Sequence, residues 1–385
     1  NHKKIAMVSE IPDDISEFKI VDVKTGNTVY TGRLSSSKFD EMTQENVRKA
    51  DFTKLNTPGT YRLWVKGIGS YEFEIGDKLM KVPNGYLSVA KKTKTNQFYT
   101  LKVVKKIDIL QNKSLIQHEI NQYQNLLLLY HPFIAELKGI NFTDSYNLFY
   151  IFEYIPGIPL RHIIKGEQGL SMDKAKFYIA CLLTVLDYLH KKNIIHRDLR
   201  PELILICRNG YIKLTEFTLS KKLENDYTYS VCGTHEYYSP EMINQGGYNK
   251  SIDFWQLGIL FYEMLFGHTP FIASEPMKLY EKIKNGKIKF PKNIDSNART
   301  LIRHFLIVDP KKRLGCTKKG IYEIVQNPFF EGFDWEGLLH RVLEPPFLPK
   351  VNRNSIYDFK KLDKLYLEEN NSEIPKDKDP FYNLK

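Results

Sequence analysis

The chain has 385 residues, 42% hydrophobic and 26% charged, a globular composition long enough for two or three domain cores and neither disordered nor fibrous. Lys and Arg number 56 against 45 Asp and Glu; the formal charge of +11 favours acidic or phosphate-rich partners without choosing among them, and no specific nucleic-acid motif accompanies it. Apolar runs such as 126–129 and 259–265 fall far short of the ~20 residues of a membrane helix, so no transmembrane segment is expected. Four cysteines (Cys181, Cys207, Cys232 and Cys316) without CxxC spacing fit a reducing compartment, with a cytoplasmic location expected and no zinc cage. The chain begins with Asn and is expected to be processed, trimmed or part of a longer product.

Residues 1–76 read as short β-branched and aromatic runs broken by turns. Strands are expected at Ile5–Ser9, Phe18–Val23, Thr28–Leu34, Tyr61–Val65 and Tyr71–Ile75. Thr25-Gly26-Asn27 reads as a hairpin turn, and Pro58-Gly59 starts a strand after a polar connection. A small β-sandwich is the natural closure. This stretch holds eleven basic and eleven acidic residues, so the whole charge excess lies downstream.

Strands and turns continue from about Phe73 to Tyr154, and long helical patterns follow from Asp173. Phe177, Ala180, Cys181, Thr184, Leu186, Tyr188 and Leu189 cover most of one helix surface, as a helix buried in a core requires. Residues 251–266 are again apolar nearly all round, and 297–308 are amphipathic up to a stop at Asp309-Pro310. After Trp335 the chain turns Pro-, Lys- and Asn-rich, and is expected to wrap over a core rather than build one. There is no internal repeat.

The run Ile195-His196-Arg197-Asp198-Leu199-Arg200-Pro201-Glu202-Leu203 sets an acid, bases and a proline between two apolar stretches. By itself the triplet at its centre is better read as a solvated turn than as a site. Its successors change that reading: Glu216-Phe217-Thr218, Cys232-Gly233-Thr234, Tyr237-Tyr238-Ser239-Pro240-Glu241, Asp253-Phe254-Trp255-Gln256-Leu257-Gly258 and Arg313-Leu314-Gly315, in that order. So ordered, the strings resemble the signature set of protein kinases, with HRD-type, DFG-type and APE-type elements. The resemblance runs from about residue 73 to the C-terminus and is closest to the AGC group that contains cAMP-dependent protein kinase. Phe333-Asp334-Trp335-Glu336 and Pro346-Phe347-Leu348-Pro349-Lys350-Val351 resemble the start of the AGC tail, with Phe381 and Leu384 as its terminal anchor.

Phosphoryl transfer needs phosphates cradled by backbone N–H groups, a lysine fixed by a glutamate, metal ligands and an acid near the accepting hydroxyl. The resemblance sets Met80, Val82 and Gly85 at the three glycine positions of the phosphate loop, and two side chains there hinder close backbone approach. Lys102 matches the phosphate-binding lysine, and Glu153 falls among the nucleotide-binding positions. Gln122 stands where the lysine's glutamate partner would be, with Glu119 three residues earlier as a substitute on nearly the same helix face. Thr100 and Phe152 would narrow the adenine pocket. Asp198 matches the acid that receives the substrate proton. Leu203 replaces an amide ligand of the second magnesium and offers no oxygen; Glu216 replaces the bridging Asp, one methylene displacing its carboxylate by roughly 1.5 Å. Thr218 replaces a glycine, and Arg200 a lysine. ATP is therefore expected to bind weakly, and magnesium, if held, to be held by Glu216 from a different place.

Other positions of the resemblance are kept. Leu126, Leu137, His196 and Phe217 match an internal hydrophobic stack, and Glu241 and Arg313 a buried ion pair. Ser230 falls where AGC kinases carry an activating phosphate, with His118, Arg197 and Lys221 as its basic cradle; the alternative is an ordinary exposed loop serine. Glu202 and Glu263 match acids that read a basic substrate residue, whereas Pro159 replaces another such acid.

At the other end, Lys4-Ile5-Ala6-Met7-Val8, Phe18-Lys19-Ile20-Val21-Asp22, Val29-Tyr30-Thr31-Gly32, Ala50-Asp51-Phe52-Thr53 and Gly59-Thr60-Tyr61-Arg62-Leu63 resemble the Ig-like domain that precedes the catalytic domain of some bacterial cellulases. No glycosidase domain accompanies it, so glycoside hydrolysis has no support in this chain. The expected fold class is α+β: a bilobal protein kinase fold with an AGC-type C-terminal tail, preceded by a small all-β Ig-like sandwich. Its segments are expected at 1–76 (sandwich), 73–154 (kinase N-lobe), 155–332 (C-lobe) and 333–385 (tail). The leading functional expectation is a catalytically impaired pseudokinase that binds a protein partner or peptide, such as another kinase or a regulatory subunit. A weakly active serine/threonine kinase and a structural component of a larger assembly are the alternatives.

Overall fold

The computed structural model describes residues 5–349 except 10–14, 41–44, 52–54, 56–58, 66–67, 76–77, 83–84, 93–96, 111–112, 144–146 and 225. The expected tail anchors Phe381 and Leu384, like Lys350 and Val351, lie outside the described residues. The chain divides into two compact units. Among the described residues, the first runs to residue 110 and resumes at 138–154; the second takes 113–137 and everything from 155 onward.

The first unit opens with seven strands: β1 (Ile5–Ser9), β2 (Glu17–Asp22), β3 (Thr28–Arg33), β4 (Lys38–Asp40), β5 (Glu45–Asp51), β6 (Gly59–Val65) and β7 (Ile68–Ile75). They form a four-stranded sheet of order β3-β2-β6-β7 and a three-stranded sheet of order β1-β5-β4. Strand alternation sends Phe18 and Ile20, and likewise Leu63 and Val65, to one face, where they share a buried cluster with Ala50 of the other sheet. Gly32 lies opposite Phe18 in register, and a Cβ there would come within 2.6 Å of the Phe18 ring, so the ring occupies the space glycine leaves. Neither β4 nor β5 is expected from the sequence, because both are mostly charged and polar. Tyr71–Ile75 belongs to β7, which pairs with β6.

The same unit holds a five-stranded sheet of order β11-β12-β10-β9-β8, made of β8 (Lys78–Val82), β9 (Gly85–Lys92), β10 (Gln97–Lys105), β11 (Leu137–Thr143) and β12 (Asn147–Glu153). Helix α1 (Lys106–Leu110) follows β10.

The second unit is mainly helical. It contains α2 (Lys113–Leu127), α3 (Leu160–Glu167), α4 (Met172–Lys191), α5 (Pro240–Ile243), α6 (Ser251–Phe266), α7 (Pro276–Asn285), α8 (Ser296–Phe305), α9 (Tyr322–Val325) and α10 (Trp335–Leu339). Its short strands are β13 (Gly157–Pro159), β14 (Ile194–Ile195), β15 (Ile204–Cys207), β16 (Ile212–Leu214) and β17 (Lys221–Lys222). Helix α6 packs on both α4 and α8. Every residue of α6 from Ser251 to Met264 is buried, which explains its apolar character all round. A Cβ on Gly258 would stand 2.7 Å from Phe305 Cβ, so glycine is what lets α8 approach α6 there. Residues beyond α10 lie along this unit: the Tyr211 hydroxyl donates to the Leu343 carbonyl at 2.6 Å, and the Lys174 ammonium sits 4.8 Å from the Phe347 ring centroid. Among the described residues, no helix is long and apolar enough to cross a membrane.

Candidate active site

The loop from His196 to Leu203 connects β14 to β15 and is fixed from beneath by α6. Asp253, fully buried, accepts hydrogen bonds from the His196 and Arg197 backbone N–H groups at 3.0 and 2.9 Å. Burial alone would raise its carboxyl, but the His190 side chain at 2.8 Å and the Arg197 N–H outweigh this and hold it below the usual range. Gln256 completes the clamp, donating to the Arg197 carbonyl at 2.8 Å and accepting from Leu199 N–H at 2.9 Å. Arg197 has a φ of 70°, a left-handed conformation costly for a residue that carries a Cβ, and these bonds hold it there. The Asp253–Gly258 string stands out in the sequence, yet nothing in it assigns Asp253 and Gln256 this role.

Asp198 is thereby presented on a rigid loop. Its Oδ2 accepts from Arg200 Nε at 3.2 Å, and its Oδ1 lies 3.4 Å from the Thr234 hydroxyl. His196 is buried with its ring edge-on to Phe217, 5.1 Å between centroids, and its Nε2 bonds the Glu216 carbonyl at 2.8 Å. Burial lowers the His196 pKa, against the opposing pull of Asp253. Leu126 is also buried, whereas Leu137 is half-buried.

The positions expected to bind metal are arranged differently. Leu203 is 2% exposed and packs in the core as the last residue of a 3-10 turn, Pro201–Leu203. Glu216 Oε1 accepts from its own loop: Phe217 N–H at 3.0 Å, Thr218 N–H at 2.9 Å and the Thr218 hydroxyl. The Thr218 hydroxyl also lies 3.5 Å from the Gln122 amide nitrogen of α2, at the long limit of a hydrogen bond. Three departures, Gln122, Thr218 and Glu216, thus meet in one line. Glu119 is as buried as Gln122, each 1% exposed. Of the two positions that the resemblance implies for a pair of magnesium ions, Leu203 offers no oxygen, and Glu216 has Oε1 bonded within its own loop, which leaves its second oxygen as the donor for a single ion. Among the described residues, no group of three His, Cys, Asp or Glu side chains could hold a metal ion.

In the first unit, Lys102 of β10 is buried, its ammonium 5.5 Å from the Tyr150 ring centroid. Thr100 pairs across strands with buried Phe152, and Tyr99 with Glu153. Met80 and Val82 lie in β8, where Val82 pairs with Gly85 at the head of β9. The connecting residues 83–84 lie outside the described residues.

The expected phosphate position is partly assembled. Ser230 Oγ accepts from Arg197 Nη1 at 2.8 Å, and Lys221 Nζ donates to Thr228 Oγ1 at 3.0 Å. Tyr248, which no sequence pattern singles out, donates its hydroxyl to the Ser230 carbonyl and lies 3.2 Å from Arg197 Nη1. His118 belongs to α2, but its side chain lies outside the described residues. Arg313 and Glu241 form a bidentate pair at 2.6 and 2.9 Å, both buried. Glu263 is 1% exposed and bonds Arg161 and the Tyr237 hydroxyl, while Glu202 is 3.4 Å from Arg161 and 3.5 Å from Arg200.

Comparison with known proteins gives this geometry a family. The protein kinase domain model matches residues 80–330, well over half the chain, and the cellulase N-terminal ig-like domain model matches residues 1–70. The chain is similar to the cAMP-dependent protein kinase type 3 of Saccharomyces cerevisiae, 36% identical over 88% of this chain and 82% of that protein. A human cAMP-dependent protein kinase catalytic subunit is 38% identical over 69% of this chain and 74% of its own length. The catalytic subunit of Arthrobotrys oligospora is 36% identical over 84% of this chain, a match that spans 60% of that protein. The chain belongs to the protein kinase family, and its relatives are of the cAMP-dependent, AGC type.

Proposed function

We propose that the chain is a catalytically impaired AGC-type kinase that works by binding a protein partner or peptide, as scaffold or allosteric partner. The observation that carries this reading is the line from Gln122 through Thr218 to Glu216 beside Leu203. With Oε1 of Glu216 shared among three local donors, only its other oxygen is left to meet a metal ion, and Leu203 offers no oxygen for a second one. If two such losses each remove 2–4 kcal/mol of transition-state stabilisation, the rate falls by roughly 10³ to 10⁶.

The second reading is a weakly active serine/threonine kinase transferring the ATP γ-phosphate. It is favoured by Asp198, which keeps its place on a loop clamped by Asp253 and Gln256, and by buried Lys102. Phosphate transfer from ATP to protein or peptide separates the two. The impaired reading expects a rate well below 1 s⁻¹, about the low end for kinases. A faster rate that Asp198→Asn abolishes would overturn it in favour of the second.

Residues 1–76 fit an Ig-like spacer or docking module, a reading supported by the shared core of two sheets and the match at 1–70. Four free cysteines support a reducing compartment such as the cytoplasm.

A further inference from the structure

We propose that Arg161 is a specificity-determining residue: its guanidinium spans Glu263 and Glu202, so the face beside Asp198 does not select a basic residue in a bound peptide. This rests on the reading that the chain binds peptides at that face.

Glu263 is 1% exposed, and a carboxylate so placed needs partners to remain charged. It has two, Arg161 Nη1 and the Tyr237 hydroxyl. Arg161 is the second residue of α3, whose neighbours Leu160, Ile163 and Ile164 are buried, so its backbone is anchored and its side chain reaches across to α6. It also approaches Glu202 at 3.4 Å, and Glu202 meets a second guanidinium, Arg200, at 3.5 Å. Arg200 in turn pairs with Asp198 at 3.2 Å. Three carboxylates therefore already face two guanidinium groups.

An arginine arriving on a peptide would have to displace Arg161 from a buried partner, leaving one guanidinium less well paired than before. The exchange gains little, and the arriving charge also meets Arg200. Specificity depends on the difference between competing ligands, and an internal arginine removes the advantage a basic peptide would otherwise have.

The test uses the full chain and fluorescein-labelled, serine-centred decapeptides. A single arginine is scanned through four positions on each side of the serine, against an all-alanine parent, with affinity read by fluorescence anisotropy. In the unmodified protein no arginine should tighten binding by more than about threefold, whereas in Arg161→Ala at least one position should tighten it by about tenfold or more. Glu202→Gln in that background should remove most of the gain. Arg161→Gln, which keeps a donor to Glu263, should give the same change in preference and serves if the alanine variant does not fold. An arginine preference of about tenfold in the unmodified protein overturns the proposal, as does peptide binding with unchanged preference in both Arg161 variants. If no peptide binds any folded variant, the proposal fails together with the peptide-binding reading; the other two failures leave that reading standing.

Discussion

The hydroxyl of residue 218 is one of the groups that hold an oxygen of Glu216. With the Phe217 and Thr218 N–H groups it supplies three donors to Oε1, and it sits beside the Gln122 amide. On the proposed reading, undoing this raises metal-dependent chemistry. The triple change Leu203→Asn, Glu216→Asp, Thr218→Gly is expected to raise magnesium-dependent phosphate transfer by about 100-fold or more. Radiolabelled ATP measures it, and no gain would place the block elsewhere, such as at Met80 and Val82. Arg313 makes the opposite kind of contribution. It is fully buried against Glu241, and Arg313→Ala leaves a carboxylate without its cation, so urea unfolding should show a loss of about 3–5 kcal/mol.

Among the elements, the segment after α2 carries a pH dependence. His131 Nδ1 accepts from Phe133 N–H at 3.1 Å, which needs a neutral ring, and burial, helped by Lys213, lowers its pKa to about 4 from 6.5. The unfolded chain therefore binds more protons between these values. The associated stability is fully present above pH 6.5 and is lost as pH falls towards 4, by about 1–2 kcal/mol with solvent screening included. Denaturant midpoints across this range should fall for the native chain and fall less for His131→Asn. Elements also differ in how much of them the sequence reveals. Helix α6 is legible because burial on every side demands an apolar residue at nearly every position, and the observed helix spans Ser251–Phe266. Strands β4 and β5 are not, because their pairing in the sheet is a backbone matter that polar sequence does not advertise. The loop bearing Asp198 is legible from its own residues. Its clamp by Asp253 and Gln256, more than fifty residues away, and the reach of Arg161 to Glu263 across about a hundred, are not, since such long-range pairs leave no local pattern.

In the molecule as a whole, the proposed reading keeps the regulatory geometry and gives up the metal chemistry. Ser230 tests the first half of that statement. Its hydroxyl already accepts from Arg197, and a phosphate there would gain one to three charge-assisted hydrogen bonds, with Lys221 nearby on Thr228. Hydrogen exchange should then slow from Lys221 to Tyr237 on phosphorylation, and unchanged protection would make Ser230 an ordinary loop serine. The second half, and with it the proposed impairment, is tested most directly by thermal shift with ATP, in magnesium and in chelator. Binding at 100 times the dissociation constant stabilises a protein by about 2.7 kcal/mol. With Leu203 lacking an oxygen and Glu216 bonded to its own loop, any stabilisation by ATP should be the same in both conditions. A large increment that arises only with magnesium, and disappears in Glu216→Gln, would contradict the account.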